Sequence, residues 1–175
     1  MIPKIIHYCW FGNTPLPPTA HKCLESWEKY FPDYEIVLWN EDNSPMEIPF
    51  VRDAYKAKKY AFVADYVRMW AVYTYGGIYM DTDMLVIRPM EKLLEKLELF
   101  FGYEDPERKY INAAIFGAVK SSCFISDILS KYNDIQFSLD KIHQITIPNI
   151  VTGIYDTKKV YQDKVLIFNY EYFYP

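Results

Sequence analysis

Four charged side chains carry the chemical content of this sequence: Asp65 and Arg68 in YAFVADYVRMWAVYTY, and Asp81 and Asp83 in the IYMDTDM that follows. Two carboxylates two residues apart, at the end of an apolar run, suit a hard divalent ion such as Mg²⁺ or Mn²⁺. Such ions prefer oxygen ligands and commonly share them with substrate phosphates. An acid and a guanidinium three residues apart on a helix are neighbours. As an exposed pair they would contribute only a few tenths of a kcal/mol, but beside a carboxylate pair they complete a set suited to a metal and a diphosphate. No soft-metal site competes, because Cys9, Cys23 and Cys123 lie far apart and His7, His21 and His143 have no zinc spacing. An isolated D-x-D reads equally well as a solvated turn. Here an apolar strand delivers the pair and the Asp65/Arg68 helix precedes it.

The elements around these residues must bring them together. Ala61, Ala64, Arg68, Ala71, Val72 and Tyr75 recur at spacings of three and four, which predicts a helix with one mostly apolar stripe facing inward. Gly76-Gly77 stops that helix and turns the chain. Ile78, Tyr79 and Met80 then form an interior strand, and strand alternation puts Asp81 and Asp83 on one side with Thr82 opposite, so the two carboxylates converge. Upstream, Ile5 to Phe11 reads as a strand, Gly12 to Pro18 as a loop, and the next stretch as a helix capped near Thr19 that buries Cys23, Leu24, Trp27 and Phe31. Glu35 to Trp39 is the next strand. This alternation predicts an α/β fold of the Rossmann-like kind, a mostly parallel central sheet with helices on both faces. Ligands of such sheets bind beyond the carboxyl ends of strands. Trp10, Trp39/Asn40 and Asp81 all fall there, in position to share one crevice. After Pro89 the sequence predicts a short helix Glu91 to Leu97, a strand Leu99 to Tyr103, a polar loop Glu104 to Lys109, and a buried strand Ile111 to Val119 with Asn112 at its polar start. A helix Ser126 to Tyr132 and a late strand Lys164 to Asn169 follow, while Gln136 to Gln144 has no single periodicity.

Composition fits one globular unit spanning residues 1–175. With 51% hydrophobic residues the 175-residue chain can bury a substantial core. Its net charge of −4 argues against a nucleic-acid surface, which needs a basic patch. Three cysteines without a secretory h-region after Met1-Ile2-Pro3-Lys4 point to a reducing compartment. No stretch approaches the roughly 20 apolar residues of a spanning helix. The expected location is cytoplasmic, with any membrane contact peripheral, on the inner face. Aromatic residues make up 18% of the chain, and most aromatics of a globular protein are core. Trp10, at a strand end, has a positional case for ligand contact.

The ordered motifs IPKIIHYCWFG (Ile2 to Gly12), CLESWEKYFPDYEIVLWNEDN (Cys23 to Asn43), ADYVRMWAVYTYGGIYMDTDM (Ala64 to Met84), INAAIFGA (Ile111 to Ala118) and TGIYDT (Thr152 to Thr157) resemble glycosyltransferase family 32. These are retaining enzymes with a sugar-binding region containing a DXD motif. The resemblance reaches more distantly to the glucosylating domains of large clostridial toxins and to yeast-type mannosyltransferases. Within the family, the bacterial capsular-polysaccharide sugar transferases look closest. It implies a GT-A-like fold and metal-dependent sugar transfer from a nucleotide sugar, UDP-linked in preference to GDP-linked, to a saccharide or lipid-linked acceptor, in bacterial surface polysaccharide synthesis. By this resemblance Asp83 is the direct ligand of Mn²⁺ or Mg²⁺, and Asp81 a second contact to metal and ribose. Asp65 accepts from donor-sugar hydroxyls, Arg68 meets sugar and diphosphate, and Trp10 lies beside the nucleobase, with Tyr79 and Asn112 as further substrate contacts. Retention without a second glycosidase-type carboxylate favours front-side attack assisted by the departing phosphate. The family usually continues past Tyr172-Phe173-Tyr174-Pro175 into a segment with a His and a Ser-Trp pair, so the chain is expected to lack that C-terminal part of the site. Two other readings compete. One is a phosphatase whose nucleophile is the first Asp of D-x-D, disfavoured by Leu85 at the usual hydroxyl position. The other is a non-catalytic nucleotide-sugar-binding module.

Overall fold

The computed structural model describes residues 1–174. Strand β1 (Ile5–Cys9) pairs in parallel with β2 (Glu35–Trp39) on one side and β3 (Gly77–Met80) on the other. Strand β5 (Ile111–Ala118) runs antiparallel to both β3 and β4 (Leu99–Tyr103), and β6 (Leu166–Phe168) joins β4 in parallel. The sheet order is β2-β1-β3-β5-β4-β6. It is mostly parallel, as the β-α-β opening predicts, with β5 the opposing strand among the described residues.

Helices cover both faces. On one face α1 (Pro18–Tyr30) and α4 (Glu91–Leu94) meet Ile6, Tyr8, Ile78, Met80, Phe100 and Ile115 through Cys23, Trp27 and Leu94. On the other, α2 (Pro49–Lys56), α3 (Tyr60–Tyr75), α5 (Cys123–Asn133) and α6 (Ile147–Thr157) enclose a larger core with Tyr79, Phe101 and Phe116. Side chains 78 and 80 face α1 while 79 faces α3, the period of two expected of a strand.

Several local expectations are corrected. Helix α1 starts earlier than Thr19, because Pro17 is extended (φ −70°, ψ 157°) and a proline opens the first turn; no side chain caps it. Leu24 on α1 is only half-buried, and Ala20 and Ser26 are buried instead. The predicted one-sided stripe on α3 does not hold: Ala61 and Tyr75 are exposed, while Val63 and every residue from Asp65 to Met69 are buried. A helix buried nearly all round is one packed between other elements, and α3 lies against the sheet with α2 and α5 on its flanks. Helices α2 and α6 carry Pro49 and Pro148 in their first turns and escape the periodicity reading.

Gly77 requires its glycine. Its φ is +110°, and a Cβ there would stand 2.6 Å from the Ile5 carbonyl oxygen. Beside it, buried His7 accepts at Nδ1 from Trp39 Nε1–H (3.1 Å) and so donates from Nε2 to the Gly76 carbonyl (2.8 Å). Burial pushes the His7 pKa down, which keeps the ring neutral, and its bonds tie β1 and β2 to the end of α3.

Candidate active site

Arg68 is the centre of the site. Its side chain is 7% exposed, on the sheet-facing side of α3. Nη2 lies 3.1 Å from Asp65 Oδ1, and Nη1 donates to Asp81 Oδ2 at 3.3 Å and to the Ala113 carbonyl at 2.9 Å. Nε donates to Ala64 O at 3.2 Å, and the guanidinium carbon stands 4.6 Å from the Tyr79 ring centroid. Burial works against the cation, yet Asp81, Tyr79 and Asp65 outweigh it and hold Arg68 protonated well above its ordinary range. The i,i+3 pair is therefore a buried cluster and not the exposed helix pair that spacing alone allows.

One cation cannot fully compensate two carboxylates. Burial, helped by the Asp81 charge and opposed by Arg68, raises the Asp65 pKa to about 6. Asp65 has a 12% exposed side chain and Asp81 a 31% exposed one, so Asp81 is the carboxylate with a face left toward solvent. The buried Tyr132 hydroxyl has no hydrogen-bond partner and sits in the field of Asp65 and Arg68.

Tyr79 holds Asp81 from below: its hydroxyl donates to Asp81 Oδ1 at 2.8 Å. The Tyr79 ring is 1% exposed and in the core, so it positions a carboxylate and does not face the crevice as a substrate contact would. Asp81 itself lies one residue past β3, its N–H donating to the Ala114 carbonyl, and Met84 N–H returns to the Asp81 carbonyl at 3.0 Å. Asp81 to Met84 is thus a turn, and what presents Asp83 is that turn and not the strand pleat invoked from sequence. Asp83 is exposed.

Strand β5 reaches the site through an irregularity. Its pairing with β4 shifts between Phe100 and Gly102, and Asn112 Oδ1 accepts from Ala114 N–H at 2.7 Å. Bulges commonly re-aim groups beside functional sites. Here the carbonyls of Ala113 and Ala114 are aimed at Arg68 and Asp81, and Asn112 is half-buried at the same strand end. Thr152 of the TGIYDT motif lies on α6, where its Oγ1 accepts from Ile111 N–H at 2.9 Å and anchors the start of β5.

Trp10 lies one residue past β1. It is half-buried and outside both cores, its N–H donates to the Trp39 carbonyl at 2.9 Å, and its Nε1–H donates to Thr14 O at 2.7 Å. Sequence reasoning missed Glu41, whose Oε1 accepts from Gly12 N–H at 2.6 Å and from the Tyr55 hydroxyl at 2.9 Å. Its signal lay in the NEDN run after β2, which loops back on itself: Asn43 Oδ1 accepts from Asn40 N–H and Asn40 Oδ1 from Asp42 N–H.

The donor set suits a hard ion shared with a ligand. Asp81 and Asp83 offer carboxylate oxygens alone, and among the described residues no group of three or more His, Cys, Asp or Glu forms a self-contained cage. Mg²⁺ and Mn²⁺ sites that keep waters and take substrate phosphates need no more than one or two carboxylates.

This sheet, with carboxylates at the end of its third strand, is the fold of the GT-A glycosyltransferases. It superposes on the PaToxG glycosyltransferase with a TM-score of 0.73 and 17% identity, over 93% of this chain and 72% of that one. The UDP-bound glycosyltransferase domain of the YGT toxin gives a TM-score of 0.52 at 11% identity, over 98% and 69%. Residues 17–99 match the family described as the glycosyltransferase sugar-binding region containing DXD motif. In sequence the chain is 36% identical over 98 residues to inositol phosphoceramide mannosyltransferase 3 of Schizosaccharomyces pombe, 53% of this chain and 27% of that protein. It spans about a quarter of the length of the first such relatives. The INAAIFGA and TGIYDT motifs lie beyond the matched residues.

Proposed function

We propose that this chain is a metal-dependent, retaining glycosyltransferase that takes a sugar from a nucleoside-diphosphate sugar, UDP-linked in preference to GDP-linked, and delivers it to a saccharide or lipid-linked acceptor. The observation that carries this is the buried Arg68 held between Asp65 and Asp81 at the DXD turn. A UDP-bound neighbour supports the uridine donor, and mannosyltransferases of inositol phosphoceramide among the relatives support a lipid-linked acceptor. The role in bacterial surface polysaccharide synthesis and a cytoplasmic site of action belong to the same proposal. Among the described residues no helix is long and apolar enough to cross a membrane.

Charge explains the design. As the glycosidic bond stretches, negative charge grows on the departing diphosphate, and groups aimed there stabilise the transition state more than the ground state. A divalent ion held by Asp81 and Asp83 would supply Lewis-acid neutralisation of that charge. Arg68, fixed as a cation by its surroundings, supplies positive charge without reorganisation, and Asp65 accepts from sugar hydroxyls. The retaining reading carries with it front-side attack, in which the departing phosphate takes the acceptor proton.

The test is the purified chain with a panel of UDP- and GDP-sugars and Mn²⁺, read as sugar transfer or donor hydrolysis. Mn²⁺-dependent hydrolysis of a UDP-sugar is expected. Binding without turnover would make the chain a nucleotide-sugar-binding module, and cleavage of simple phosphate esters would revive the phosphatase.

A further inference from the structure

Trp10 cannot choose its own direction, because it sits on a loop past β1 with its ring outside the core. Two bonds fix the loop's base and tip: Trp10 N–H to the Trp39 carbonyl, and the indole N–H to Thr14 O. Between them lies Gly12 at φ +100°, a conformation that side chains resist, with the Tyr60 ring so close that a Cβ would meet it at 2.6 Å. The Gly12 N–H is not spent on a backbone ladder. It donates to Glu41 Oε1 at 2.6 Å, across 29 residues of sequence, and the same oxygen accepts from Tyr55 on α2 at 2.9 Å. Burial raises the Glu41 pKa, but the backbone N–H groups of Gly12 and of Glu41 itself and the Tyr55 hydroxyl together more than reverse this and favour the ionised carboxylate. An ionised acceptor makes short, strong bonds to backbone N–H groups.

We propose that Glu41 is a positioning residue for the nucleotide donor: by gripping Gly12 N–H while braced on Tyr55, it sets the loop that presents Trp10 to the base. In this role Glu41 acts through Gly12 and the loop, and not on the reacting atoms. The inference rests on the nucleotide-sugar reading above. Its fingerprint is a loss of donor affinity with turnover preserved, because Arg68, Asp65 and the DXD turn stand on other elements.

The experiment measures UDP binding with Mn²⁺ by calorimetry, together with hydrogen exchange at the Gly12 amide, for the parent, Glu41→Gln, Glu41→Ala and Tyr55→Phe. Each variant is first checked for its melting temperature. Glu41→Gln keeps an oxygen that accepts both bonds, so its affinity should stay within about threefold of the parent. Glu41→Ala should deprotect the Gly12 amide and weaken UDP about tenfold, equivalent to about 1.4 kcal/mol, while kcat for donor hydrolysis stays within about threefold. Tyr55→Phe keeps its ring and should move both readouts in the same direction by less, and it decides the matter if Glu41→Ala does not fold. A Gly12 amide as protected in Glu41→Ala as in the parent overturns the proposal. So does a freed amide with unchanged UDP affinity, or an equal fall in kcat. A parent that binds no UDP overturns the donor reading itself, which separates that failure from an error about Glu41 alone.

Discussion

At Arg68 the outcome of a substitution depends on what is left behind. Arg68→Ala strands Asp65 and Asp81 around a buried hole, and removing one member of a buried charge cluster costs about 3–5 kcal/mol. Urea denaturation should show that loss, where an exposed pair would lose at most about 0.5 kcal/mol. Arg68→Lys keeps the charge but not the fork that reaches Asp65, Asp81 and Ala113 together. It should fold and lose on the order of 100-fold in donor hydrolysis. Asp65 gives a pH test. Its folded pKa of about 6 lies above the ordinary carboxylate value of 3.8, so the folded state binds the proton more tightly than the unfolded chain does. The carboxyl's contribution therefore declines as pH rises from about 4 through 6. Measured without metal, the melting temperature of the parent relative to Asp65→Asn should fall over that window, and a flat difference would mean that Arg68 fully compensates the charge. Asp83, exposed at the turn, is free to answer to metal alone. Asp83→Asn should leave the melting temperature unchanged and abolish the Mn²⁺ dependence of UDP binding in calorimetry.

At the scale of elements, the site depends on how α3 and β3 end and on how β5 begins. Gly77 links the first two, and Gly77→Ala meets the Ile5 backbone, which cannot move aside as a flexible side chain could. The backbone strain alone costs about 1–3 kcal/mol, so the urea midpoint should fall by at least that equivalent and donor hydrolysis should fall with it. The loop past β1 behaves in the opposite way. Trp10 packs in neither core, so Trp10→Ala should cost no more than about 1 kcal/mol, against about 3–5 for a core tryptophan such as Trp27. The same substitution should remove most of the UDP affinity. A large stability loss with UDP affinity retained would make Trp10 a packing residue.

Across the whole molecule, two cores share one sheet. Phe116 stands at the junction of β5 with its neighbours, stacked on Phe101 at 4.8 Å and tilted against Tyr79 at 5.8 Å. If the chain is one cooperative unit, Phe116→Ala should lower stability by about 3–5 kcal/mol, with circular dichroism and tryptophan fluorescence reporting one coincident transition. Separate transitions would mean that the α1 side and the α3 side unfold independently.

The order of the six strands and of the helices other than α2 and α6 was legible because its signals are local. The Glu35–Trp39 strand and the Leu99–Tyr103 strand need only their own composition and flanking turns, and Gly76-Gly77 needs only its freedom at positive φ. The four charged residues of the candidate site stood out for the same reason, as types at short spacing. What the tertiary structure decided was their physical state. Whether Asp65 and Arg68 form a surface pair or a buried cluster depends on α2, α5 and the sheet closing around α3. That Tyr79 braces Asp81 from below, instead of facing a ligand, follows from the packing of its ring against Phe116. The Ala113 carbonyl on Arg68 and the Glu41 carboxylate on Gly12 join residues 45 and 29 positions apart. Contacts of that kind leave no local period in the chain, because they exist only once the sheet has brought the start of β5 and the loops after β1 and β2 into place.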